Sequence, residues 1–160
     1  MLPLCEWLEH NSWIVWIDSS IPLSLFMEIL HYSGFFLLVG ATVIVDLRVM
    51  GLAARRGSPG EVANQLFPWM WTGLGMVVFS GFFMFAGDAG DFYGAITFRI
   101  KILVVLVALG VGMVVRYRIP RWSALPSVPV GAKCMALLSL LLWIGAILVS
   151  VEVPAISGVG

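Results

Sequence analysis

Residues 21–47 read IPLSLFMEILHYSGFFLLVGATVIVDL. Across that run the acidic and basic side chains are only Glu28, His31 and Asp46. An α-helix needs ~20 mostly apolar residues to cross a bilayer, and this stretch exceeds that length. Ser19 and Ser20 suit the N-cap, and Pro22 suits the first turn, where its missing N–H costs nothing. Three more segments have the same character, at about residues 66–87, 97–117 and 132–151. The first of these three has no charged residue between Val62 and Gly87. The short loops leave no room for a soluble domain. The chain therefore reads as one all-α integral membrane domain, residues 1–160, folded as a four-helix bundle.

Composition agrees. The chain is 61% hydrophobic and 11% charged, with a mean hydropathy of +1.02. Ordinary soluble domains are about 45–50% apolar and about 25% charged. The formal net charge is +0, so no basic surface invites a nucleic-acid partner. Cys5 and Cys134 stand far apart and form no metal-ligand spacing. The start of the chain has no basic segment ahead of an apolar run, so no cleavable signal peptide is visible.

The basic residues orient the bundle. Arg48, Arg55 and Arg56 follow the first span, and Arg116, Arg118, Arg121 and Lys133 lie between the third and fourth. By the positive-inside rule these loops face the cytoplasm. Glu6, Glu9, Asp18, Asp88, Asp91 and Glu152 then fall on the other side, with both termini periplasmic in a bacterial inner membrane. Residues 3–18 are too short and polar to cross. With Trp7, Trp13 and Trp16 they read as an interfacial helix, broken near Asn11-Ser12. Trp69, Trp71 and Trp122 are expected to anchor the cytoplasmic side.

Ionisable groups inside a membrane persist mostly where they pair or work. Glu28 and His31 are three residues apart and share a helix face. His31 lies ten residues into its helix, roughly 15 Å deep at 1.5 Å per residue. Arg99 and Lys101 open the third span from the same side, where two cations oppose the helix dipole and call for a negative partner. Three readings remain open. His31 is the axial and metal ligand of a b-type haem, with Met76 level with it as a second ligand and Arg99 and Lys101 receiving the propionates. Alternatively, His31 and nearby methionines hold copper. Alternatively, the groups only join helices, Glu28 pairing with Arg99 or Lys101, and no cofactor is bound. Asp46 and Arg48 read as a local ion pair at the helix end. Signatures of hydrolases, P-loop and dinucleotide-binding proteins are absent, so an enzyme acting alone is not expected.

The run Met27-Glu28-Ile29-Leu30-His31-Tyr32-Ser33-Gly34, with Asp46-Leu47-Arg48-Val49-Met50-Gly51 at the helix end, resembles a family of uncharacterised four-helix bacterial membrane proteins. Phe67-Pro68-Trp69-Met70-Trp71-Thr72-Gly73 and Phe98-Arg99-Ile100-Lys101 extend the resemblance from about Trp7 to Val151. More distantly, the chain is similar to copper-resistance D proteins and to four-helix haem-associated protoporphyrinogen oxidases. That likeness implies haem, with His31 and Lys101 at the matching positions. The chain departs from those families in lacking a second intramembrane His. The expected function is a haem b-binding redox protein, or the haem-bearing or anchoring subunit of a larger electron-transfer complex. The alternatives are a structural membrane subunit and a copper-handling protein. Expected partners are the lipid bilayer, other membrane or periplasmic subunits, or further copies of the chain.

Overall fold

A computed structural model describes residues 7–53 and 57–157, with side chains described as far as Ser150. Among these residues all regular structure is helical. Residues 7–9 are helical, and six further helices follow: α1 (Ser12–Ser19), α2 (Ile21–Met50), α3 (Pro59–Gly87), α4 (Ala89–Gly94), α5 (Ile96–Ser123) and α6 (Val130–Ser157). The four long ones, α2, α3, α5 and α6, are long and apolar enough to cross a membrane.

Each long helix outruns the apolar segment that announced it. At 1.5 Å per residue, 28–30 residues span roughly 42–45 Å, more than the roughly 30 Å of a bilayer's apolar layer. Local chemistry sets where they stop. α2 runs past Leu47 to Met50 and ends at Gly51, whose φ of +82° is the left-handed conformation that glycine adopts without penalty. α3 starts at Pro59 rather than Leu66. The Ser58 hydroxyl accepts from Glu61 N at 3.2 Å, and the Glu61 carboxylate accepts from Ser58 N at 2.6 Å. That reciprocal capping box carries polar Asn64 and Gln65 into the helix.

Pro68 lies inside α3 and Pro120 inside α5. The segment before α2 is broken at Asn11, as the sequence suggests, because Asn11 caps α1 by accepting from Trp13 N at 3.1 Å. Its first residues, and Cys5, Arg55 and Arg56, lie outside the described residues. The short helix α4 was not anticipated.

The long helices form two antiparallel pairs. α2 packs along α3, α5 packs along α6, and α2 bridges to α6. α3 and α5 touch only lightly. The α2–α3 seam is tight because both helices are bare at one level. A Cβ on Gly34 would lie 2.6 Å from Met76 Cβ, and one on Gly73 would lie 2.7 Å from the Gly34 carbonyl oxygen. Small residues let backbones approach this closely where apolar surroundings give helices no hydrophobic reason to associate. Around the other seams, Val45, Val49, Ala63, Val115, Ile119, Trp122, Ala132 and Ala136 form one buried cluster. Trp122 is therefore a core residue, not an interfacial anchor. Trp69 and Trp71 are exposed, as anchors would be.

Charge divides the bundle into an acidic and a basic end. At the basic end Gly60 N donates to Ser123 Oγ at 3.1 Å and Arg116 donates to Asn64 Oδ1 at 2.6 Å, tying α3 to α5. At the acidic end Glu9 Oε1 accepts from Gly90 N at 2.6 Å, fastening the N-terminal segment to α4.

Candidate functional site

His31 sits on the α2 face that meets α3, half-buried in the half of the bundle nearer the acidic end. Two α3 residues shape its seat. A Cβ added to Gly81 would lie 3.0 Å from His31 Cε1 and 3.3 Å from Nδ1, so glycine leaves the space the imidazole fills. Beside it Ser80, fully buried, lies 3.1 Å from His31 Nδ1 through its Oγ.

That hydrogen bond has a direction. Ser80 Oγ already donates its single proton to the Met76 carbonyl at 2.6 Å. It can therefore only accept from the imidazole, and Nδ1 must be the N–H. In the neutral ring the lone pair then lies on Nε2, the nitrogen free to act as base or metal ligand. A hydrogen bond on one nitrogen that fixes the other for ligation is how metal-binding histidines are usually held. The Val77 carbonyl is a further acceptor beside the ring, and the Lys101 ammonium of α5 faces it.

The other expected residues divide. Met76 joins His31 on the α2–α3 interface, its Cβ over Gly34. Lys101 is half-buried on the α5 side of the same region. Arg99 is exposed and turned towards α4. Its Nε and Nη2 donate to the Tyr93 carbonyl at 3.0 and 2.6 Å, and its guanidinium lies 4.9 Å from the Tyr93 ring centre. Glu28 is exposed and makes no hydrogen bond or ion pair among the described residues. The expected pairing of Glu28 with Arg99 or Lys101 is thus not formed. The i, i+3 spacing puts Glu28 and His31 about 60° apart on the helix, enough for one to meet α3 while the other faces outward.

Arg99 instead lines a cleft of about 440 Å³ with Phe85, Tyr93, Phe98 and Ile102. Phe85 and Phe98 are stacked, 5.5 Å between centroids and 15° between planes. The cleft opens between α3 and α5, where the bundle packs least. Its wall at Phe85 is one turn along α3 from Gly81, under the His31 ring. His31 and Lys101 do not line this cleft, whose walls are the Arg99 cation and four apolar or aromatic side chains.

The Asp46–Arg48 ion pair is also absent. Arg48 donates to the Gly57 carbonyl and pins the α2–α3 loop. Asp46 is 1% exposed and points into the bundle towards Ser139 of α6. Successive helical residues diverge by about 100°, so neighbours two apart lie on nearly opposite faces. The i, i+4 repeats Thr42/Asp46 and Ser139/Trp143 were the available signal for this second polar seam.

Compared with known proteins, the chain matches no family model, no curated protein and no solved structure.

Proposed function

We propose that this chain is a membrane-embedded haem b-binding redox protein, or the haem-bearing subunit of a larger electron-transfer complex. It would lie in a bacterial inner membrane with its basic end towards the cytoplasm and both termini periplasmic. One observation carries the reading: Ser80 accepts from His31 Nδ1, which leaves the Nε2 lone pair for a metal. The donor set fits such a group. His31 offers an imidazole nitrogen, Met76 a thioether on the same interface, and Lys101 and Arg99 the cations that carboxylate side arms require. Gly81 gives the imidazole room, and an open aromatic cleft lies one turn further along α3. The resemblance to haem-associated four-helix families points the same way.

Bound haem supplies one-electron exchange. The protein's part is to hold the imidazole in one tautomer, to balance negative side arms with Lys101 and Arg99, and to keep water from the apolar seam. The test is a reduced-minus-oxidised absorption spectrum of the detergent-purified protein. A Soret band with sharp alpha and beta bands is expected, lost in His31→Ala and displaced in Ser80→Ala. A featureless spectrum from gently purified protein, or unchanged haem content in His31→Ala, would sink the proposal.

A second reading has its own observation. Glu28 lies exposed among Leu25, Ile29 and Tyr32, also exposed, on a surface long enough to face lipid. A carboxyl in that position is costly without a partner. A structural subunit meeting another chain there would lose that association in Glu28→Ala, read by cross-linking in the membrane. The copper reading has less to draw on. Among the described residues no three His, Cys, Asp or Glu side chains converge, so it would rest on His31 and thioethers.

A further inference from the structure

The half of the bundle nearer the basic end contains a second polar site that the redox reading does not use. Thr42 and Asp46 share one face of α2, 3% and 1% exposed, and Ser139 and Trp143 share one face of α6, 0% and 1% exposed. The faces meet where α2 bridges to α6. Thr42, Thr72, Ser80 and Ser150 each donate their hydroxyl proton to the carbonyl four residues back. Ser139 does not. Its hydroxyl faces the Asp46 carboxyl without closing a hydrogen bond of ordinary length, and Asp46 Oδ2 and Ser139 Oγ are both buried and unpartnered.

Among the described residues no cation compensates the carboxyl. On α2, Arg48 is held by the Gly57 carbonyl. On α3, Glu61 closes its capping box. On α5, Arg116 is bound to Asn64 and lies 4.7 Å from the Phe67 ring centre, while Arg118 and Arg121 are exposed. On α6, Lys133 is exposed nearly two turns before Ser139. A bare carboxylate enclosed by these apolar helices is strongly disfavoured, so the site calls for a positive charge that the described side chains do not supply.

We propose that Asp46 and Ser139 form an enclosed site for one small monovalent cation, a proton or sodium. Asp46 supplies the charge, and the unbonded Ser139 hydroxyl supplies a second oxygen. With no hydrogen bond of its own, the hydroxyl is available to the carboxyl when that carries the proton, and to a small ion held between them. Doubly charged ions take about six or more oxygens, which these two helices do not offer. The site stands independently of His31.

Infrared difference spectroscopy of the whole purified protein, with and without sodium at neutral pH, tests this. Asp46→Asn keeps the shape and removes the charge. If the occupant is a proton, wild type shows a carboxylic-acid C=O band whatever the sodium content. That band is absent in Asp46→Asn and displaced in Ser139→Ala. If the occupant is sodium, the same band appears only when sodium is withdrawn, and the protein retains about one sodium per chain before then. An Asp46 carboxylate that stays ionised in sodium-free buffer would overturn the proposal. So would an Asp46 band indifferent to Ser139→Ala. In sodium-free buffer Asp46→Asn should melt no lower than wild type; a large loss there would mean that the protein supplies its own counter-charge, and would also overturn it.

Discussion

Gly34 and Gly73 set how near α2 and α3 come, and everything carried on that seam depends on them. A methyl at either position would press within 3 Å of backbone atoms that no side-chain rotation can move. Gly34→Ala or Gly73→Ala should therefore destabilise the protein by about 1–3 kcal/mol, the usual cost of forcing extra volume into a tight contact. Gly40→Ala is the control, since a Cβ there meets nothing within 4 Å. It should be neutral or mildly stabilising, because alanine is the better helix former. Thermal unfolding in one detergent compares the three. Equal losses would mean that the seam is not what limits stability. Prising the helices apart also moves Ser80 and Gly81 from His31, so haem content should fall with the seam variants and not with the control.

Among the elements, the contact between α1 and the α3–α4 turn has a pH dependence of its own. Asp88, between those helices, has its pKa raised by partial burial first, then by the neighbouring charges of Asp18, Asp91 and Glu9. A carboxyl whose folded pKa lies above its unfolded value favours the fold when protonated. That contribution is complete below the ordinary carboxylate range and is lost as pH rises through the raised value. The acidic end should therefore open more readily at neutral pH than at mildly acidic pH. Hydrogen exchange over residues 12–19 and 88–94 measures it. Asp88→Asn should flatten the trend, and slower exchange at the higher pH would contradict it. The expected size is small, because Asp88 is exposed and solvent screens the repulsion.

At the scale of the whole molecule, orientation is the first thing to fix. Cys134 is exposed near the start of α6, at the basic end. With Cys5→Ser as background, a membrane-impermeant maleimide should label Cys134 in inside-out vesicles and not in intact spheroplasts. The reverse pattern would put the basic end outside and discard the proposed topology. The bundle's looseness is also a whole-molecule property. α3 and α5 are joined by polar links at the basic end and part towards the acidic end, where the cleft beside Arg99 opens.

The sequence by itself determined the four long apolar helices, because hydropathy is a sum over one segment and needs no neighbour. It also marked Glu28, His31, Asp46, Arg99 and Lys101 as the ionisable groups within or at the ends of those segments. It did not decide what each would face. Glu28 and Asp46 stand eighteen residues apart, five full turns at 3.6 residues per turn, and so point the same way from α2. Yet Glu28 is exposed, while Asp46 is enclosed against α6. Helical periodicity fixes relative direction only. Which direction is inside at a given depth depends on which helix covers it there. That was settled by the tertiary structure, through the backbone contact at Gly34 and Gly73 and the bridging of α2 to α6. The same packing turned Arg99 away from Glu28, moved Trp122 into the core and gave His31 its proton on Nδ1. The tautomer follows from a serine on another helix whose own proton was already committed to Met76.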